Sequence, residues 1–134
     1  MKWQGNFQFL AKNETGLSTP FDAPVTFGGE GTALSPMENF LASLIACSSI
    51  HIVNLLNEKK QELYDFSIRA VADRNENPPR SFTQVKIEYI FKGAHLDEKA
   101  IREAIKTSEG KYWSVGSILK ESIKIESAYS IDRR

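Results

Sequence analysis

The stretch Ser35–Gln61 constrains this chain most, because from Phe40 to Leu56 it is apolar almost all round. Ser35 is placed to cap a helix and Pro36 suits its first turn. Glu38, three residues after Ser35, completes a capping box and complements the positive helix end. A helix that is apolar on every side belongs in an interior, unlike a surface helix with a single apolar stripe. Its few polar residues are gathered rather than scattered. Ser43, Cys47, His51 and Asn54 recur at spacings of four, four and three, which puts them on one face. The only cysteine of the chain lies in that seam, so the seam is where chemistry is sought.

A chain of 134 residues is expected to form one domain, 1–134, with a core that needs no disulfide. Lys and Arg number 17 and Asp and Glu also 17, and the basic residues are dispersed. That balance speaks against nucleic acid or an anionic membrane as partner. One cysteine with two histidines gives no finger-type ligand spacing, so neither metal nor cofactor is expected. The start, Met-Lys-Trp-Gln-Gly-Asn, lacks the apolar core of a signal peptide. Phe40–Leu56 is short for a membrane span and rich in Ser, His and Asn. The expected compartment is the cytoplasm.

Residues 2–11 alternate, with Trp3, Phe7 and Phe9 opposite Lys2, Gln4, Asn6 and Gln8, as in one half-buried strand. Asn13-Glu14-Thr15-Gly16 reads as a turn into a second strand over about 17–23. Phe27-Gly28-Gly29-Glu30-Gly31 reads as a plain loop. It lacks both a preceding buried strand and a Gly-Lys-Ser/Thr, which phosphate-binding loops require. After Lys59-Lys60 the period becomes two: Phe66, Ile68, Ala70 and Ala72 share one strand face. Val85, Ile87, Tyr89 and Phe91 share another. The polar segment Asn75–Arg80, with two prolines, separates them. Asp97 is placed to cap a second helix to about Ser108, with Ala100, Ile101, Ala104 and Ile105 inward and Gly110 as its stop. A short third helix would bury Val115, Ile118 and Leu119. A last strand would bury Ile123, Ile125, Tyr129 and Ile131.

The expected architecture is therefore α+β, in the order ββ(β)αββααβ, with mostly antiparallel strands around one long buried helix. One layer of strands in a chain this small cannot cover that helix on all sides. A second copy of the chain is the simplest shield, which predicts an intertwined homodimer.

Taken together, these residues resemble the OsmC/Ohr superfamily. The resemblance rests on Phe27–Gly31, Ser35-Pro36-Met37-Glu38, Ala46-Cys47 and Pro79. It continues through the Phe82–Phe91 strand, Leu96–Ile101, Ser108-Glu109-Gly110-Lys111-Tyr112 and the Ile123–Ile131 strand. It covers essentially the whole chain and looks nearest to the small OsmC-like branch. It implies an α+β intertwined dimer with strands of both subunits wrapped round central helices. It also implies a thiol peroxidase, in which a cysteine at the position of Cys47 attacks a hydroperoxide and becomes a sulfenic acid. A second cysteine then closes a disulfide, while an arginine from the first strands and a glutamate at the helix start hold the thiolate. Here Trp113, in Lys111-Tyr112-Trp113-Ser114-Val115, stands at the second-cysteine position. Met37 follows the proline, with Glu38 one residue later, and no arginine precedes Arg69.

Each of these residues has a plainer reading. Cys47 in an apolar helix can be an inert buried thiol. His51, one turn on, either ion-pairs with a Cys47 thiolate or is satisfied by a carbonyl or Asn54. Glu38 is first a helix-terminus carboxylate, and an active-site role comes only with the resemblance. Trp113 either fills space or walls a pocket beside Cys47. Two functions follow. One is a one-cysteine peroxidase acting on hydroperoxides through Cys47 in an oxidative-stress response, with an external thiol as reductant. The other is a non-catalytic dimer that binds a small apolar or sulfur-containing molecule in an interface pocket.

Overall fold

The computed structural model describes residues 1–134, which form two compact units, Met1–Ser43 and Leu44–Arg134. In the first, β1 (Lys2–Gly5), β2 (Gln8–Lys12) and β3 (Ser18–Phe21) make an antiparallel sheet in the order β1-β2-β3. The single strand expected over 2–11 is thus a hairpin that turns at Asn6-Phe7. Gly5, beside the irregularity in the ladder, and Asn6, in the turn, have positive φ, 102° and 47°. The alternation ran on unbroken because the ladder takes up one extra residue between Trp3 and Gly5, which restores Trp3 to the side of Phe9. Trp3 remains 62% exposed, so this sheet's aromatic residues are not shielded within the unit.

The Asn13 side chain accepts from the amides of Thr15 (3.1 Å) and Leu17 (2.9 Å), forming the expected turn. The loop before the long helix is closed by Asp22, which is 1% exposed. Its carboxylate accepts from the Thr32 amide (3.1 Å) and hydroxyl (2.9 Å) and from the Ala23 amide (2.7 Å). These bonds, the Thr32 amide foremost, hold its carboxyl below the usual carboxylate range. Gly29 is fixed by crowding, since a Cβ there would lie 1.9 Å from the Ala23 carbonyl oxygen.

The long helix, α1 (Pro36–Glu58), opens on the expected capping box. The Ser35 amide donates to Glu38 Oε1 (3.0 Å), and the Glu38 amide donates to Ser35 Oγ (3.3 Å). By length and composition α1 is apolar enough to cross a membrane. It is not buried on every side in this chain: Leu44, Ser48, Ile52 and Leu56, four residues apart, form one buried face with Ser49 beside it. Ile50, on another face, is 68% exposed. One sheet and two short helices have only enough surface to cover a single face.

In the second unit, β4 (Asp65–Arg74), β5 (Phe82–Lys92) and β6 (Lys124–Asp132) pair in that order. β4 and β5 are antiparallel, but β5 and β6 run parallel, because the chain crosses over through helices between them. The central strand buries Val85, Ile87, Tyr89 and Phe91 as its alternation predicts, and Phe66 stacks on Phe91 with centroids 4.5 Å apart. α2 (Glu98–Thr107) is capped by Asp97, which accepts from the Lys99 amide at 3.1 Å, and buries Ala100, Ile101, Ala104 and Ile105. Gly110 does not stop it. The chain winds on through a π-turn over Ser108–Tyr112 before α3 (Ser114–Leu119). Ile118 is 77% exposed rather than inward. The inner side of α3 is taken by Trp113, whose ring lies where a Gly116 Cβ would be, 2.2 Å from the nearest ring atom.

Ile52→Ala should therefore cost about 2–5 kcal/mol by creating a cavity, whereas Ile118→Ala should stay within about 0.5 kcal/mol of wild type. Urea unfolding of the two variants checks this ranking.

Candidate functional site

Cys47 is a free thiol, half-buried in the middle of α1. It sits at the border between the packed face and the open ones, so the seam of Ser43, Cys47, His51 and Asn54 follows the edge of the covered surface. The seam's ends are solvated. The Ser43 hydroxyl donates back to the Asn39 carbonyl at 2.9 Å, and the Asn54 amide donates to Glu58 at 3.2 Å. His51 turns its ring onto Tyr112, with centroids 5.2 Å apart and planes 21° from parallel, rather than into a hydrogen bond with the thiol. Lys111 Nζ lies 5.2 Å from the Tyr112 centroid, which adds a cation to the stack.

Trp113, 3% exposed, donates its indole N–H to the Leu44 carbonyl at 2.8 Å. Ser108 donates its hydroxyl to the Ser48 carbonyl at 2.7 Å. Leu44 and Ser48 bracket Cys47, so the π-turn and the residue after it are fastened to the very turn of α1 that carries the thiol. The π-turn explains how this happens. It spans the two anchors, with Ser108 at its start and Trp113 just after it, and its last residue, Tyr112, meets His51. Cys47, His51 and Trp113 thus belong to one unit. Glu38 belongs to the other, where its carboxylate is engaged by the Ser35 amide, and that bond holds its carboxyl below the usual range. No three His, Cys, Asp or Glu side chains converge in a way that could hold a metal ion.

The structure adds a polar cluster that the sequence pattern did not single out as a site. Tyr89 on β5 shares a hydrogen bond with Ser48 Oγ (2.8 Å) and donates to Glu109 Oε2 (3.4 Å). Ser127 on β6 donates to Glu109 Oε1 (2.7 Å). Burial raises both the Glu109 carboxyl and the Tyr89 phenol above their usual ranges. Ser48 inside an apolar run was the one available signal. Tyr89 reads as an ordinary core aromatic in its strand, and nothing in the local pattern of Glu109 tells that β5 and β6 meet it.

With this geometry in place, comparison with known proteins is direct. A family model described as OsmC-like protein matches residues 29–128. Protein YhfA of Escherichia coli is 30% identical over 132 residues, covering 98% of this chain and 95% of its own. A crystal structure of a hypothetical protein from Aquifex aeolicus is 29% identical, with a TM-score of 0.83 over 97% of this chain and 91% of the other. An organic hydroperoxide resistance protein from Elizabethkingia anophelis shares the fold at 15% identity, with a TM-score of 0.68 over 98% of this chain and 100% of its own. The chain belongs to the OsmC-like family.

Glu109 gives a pH test. A carboxyl raised in the folded state holds its proton more tightly there than in the unfolded chain. Its contribution is favourable while protonated and is lost as pH rises above the usual Glu value of 4.5. Glu109→Gln should therefore unfold at higher urea than wild type at neutral pH. The difference should shrink as pH falls toward that value.

Proposed function

We propose that this OsmC-like protein is a one-cysteine thiol peroxidase of the cytoplasm, serving in a response to hydroperoxide stress. The observation that carries the reading is the placement of Cys47. The only thiol of the chain is half-buried rather than sealed, at the edge of the covered face of α1. The segment fastened beside it presents the Trp113 indole where two-cysteine relatives are expected to present a thiol. The hydroperoxide resistance proteins among its structural neighbours supply the chemistry by family likeness.

Cys47 loses its proton to solvent and attacks the terminal oxygen of the hydroperoxide. The S–O bond forms as the O–O bond breaks, and the departing alkoxide takes a proton from water, giving Cys47 sulfenic acid and an alcohol. An external thiol then displaces water from the sulfenic acid to give a mixed disulfide, and a second thiol releases Cys47. His51, one turn along the seam, favours the thiolate when charged. Trp113 forms the wall against which an organic substrate packs, and Glu38 complements the positive end of α1. No cofactor enters this scheme.

The same reading takes the molecule as a homodimer. Ile50 on α1 and Trp3, Phe27 and Leu34 in the first unit are large apolar residues left exposed, and a second copy of the chain would cover them. Sedimentation at micromolar concentration should give a dimer, and a well-folded monomer would count against it.

Mass spectrometry after stoichiometric organic hydroperoxide, with a dimedone-type trap, tests the chemistry. Wild type should gain one adduct on Cys47, Cys47→Ser none, and His51→Ala should react more slowly. If Cys47→Ser consumes organic hydroperoxide as fast as wild type, the peroxidase reading fails and a ligand-binding dimer replaces it.

A further inference from the structure

Tyr112, the last residue of the π-turn, is delivered to the thiol seam by the anchors on either side of it. Ser108 donates to the Ser48 carbonyl at 2.7 Å and Trp113 to the Leu44 carbonyl at 2.8 Å. Both acceptors lie within three residues of Cys47, so the turn has little freedom to slide along α1. Bracketed by these anchors, the Tyr112 ring lies on the His51 imidazole, with centroids 5.2 Å apart and planes 21° from parallel. Tyr112 is 38% exposed, so the need to bury a ring does not account for its place.

Nothing on α1 itself fixes the His51 ring. Asn54, its neighbour in the seam, has its amide on Glu58 at 3.2 Å. A helical side chain leans back over the turn that precedes it, so the ring of His51 lies over the turn that carries Cys47. Side chains four apart on a helix start about 5–6 Å from each other at Cβ. A positive charge at that range favours a thiolate, and the face of a tyrosine ring attracts a cation. We propose that Tyr112 is a positioning residue for Cys47, holding the His51 imidazole over the thiol's own turn, where its charge favours the thiolate. This rests on the reading of Cys47 as a reactive thiol, but not on a hydroperoxide as the species it attacks.

The other residues of the segment are engaged elsewhere. Trp113 is buried and its N–H reaches main chain, not a side chain of the seam. Glu109, the one carboxyl of the turn, faces Ser127 and Tyr89 on the sheet. Lys111 has its ammonium 5.2 Å from the Tyr112 centroid and so approaches the stack through Tyr112.

Alkylation of Cys47 by iodoacetamide, followed by mass spectrometry of the whole protein, reads thiolate reactivity without any peroxide. Tyr112→Leu should slow it about two- to fivefold, the size expected of an exposed cation–aromatic contact. Tyr112→Phe, which keeps a ring, should recover most of the rate. Loss of a bulky ring beside a half-buried thiol would by itself speed alkylation, so a slower rate is opposite in sign to a packing effect. In a His51→Ala background, Tyr112→Leu should make no further difference. Proton NMR reads the stack directly. The ring signals that vanish in His51→Ala should lie upfield in wild type and move downfield in Tyr112→Leu, and the same spectra establish that each variant is folded. The proposal is overturned if Tyr112→Leu alkylates as fast as wild type or faster, or if Tyr112→Phe is no better than Tyr112→Leu. It is equally overturned if the loss persists without His51. Should the alkylation pattern hold while wild type consumes no hydroperoxide, the peroxidase reading fails and the role of Tyr112 stands.

Discussion

The hydrogen bonds that other parts of the chain make to the main chain of α1 organise the Leu44–Arg134 unit. A helix in an apolar setting satisfies its carbonyls internally, and its packing against a sheet is then non-directional. Here the Leu44 and Ser48 carbonyls accept a second bond each, from Trp113 and Ser108. Such bonds contribute only about 1 kcal/mol apiece, yet they fix the rotation of the donor segment about α1, which apolar contact alone would leave free to slide. Trp113 can lie flat because Gly116 has no Cβ, and its ring also receives Lys120, whose Nζ is 5.6 Å from the ring.

A second consequence follows at Tyr89. The phenol sits fully buried between Ser48 and Glu109, so a polar thread runs from α1 through the central strand to the π-turn and on to Ser127 in β6. No buried side-chain polar atom is left without a partner. In this thread burial opposes the charge of the Glu109 carboxyl more strongly than the Ser127 and Tyr89 hydroxyls and the Lys120 ammonium favour it.

Much of this was legible from spacing. The alternation of β5 was strong enough to name its four inward residues, and Asp97 and Ser35 announced their helices by side-chain chemistry alone. The errors share a cause: each lies where tertiary partners decide. Gly110 carries a stop signal, but the Ser108 and Trp113 bonds to α1 draw the chain onward through a π-turn. Ile118 has the right spacing to be inward, yet Trp113 already occupies that side. The parallel pairing of β6 depends on the crossover, which no local pattern reports. For the site, sequence placed Cys47 and His51 on one seam and Trp113 by family likeness. It could not show that His51 stacks on Tyr112, because that contact joins segments 61 residues apart, from position 51 to position 112.

The hairpin at Asn6-Phe7 has a bearing on how this family can vary in length. The ladder takes up one extra residue between Trp3 and Gly5, so Trp3 stands opposite Phe9 while Gly5 stands opposite Gln8. A residue added or deleted there can be absorbed by gaining or losing such an irregularity, without exchanging the aromatic and polar faces of β2. Length change at this point thus bends the ladder locally, while the Asn75–Arg80 connection, which carries no face of a strand, gains or loses residues without touching a register.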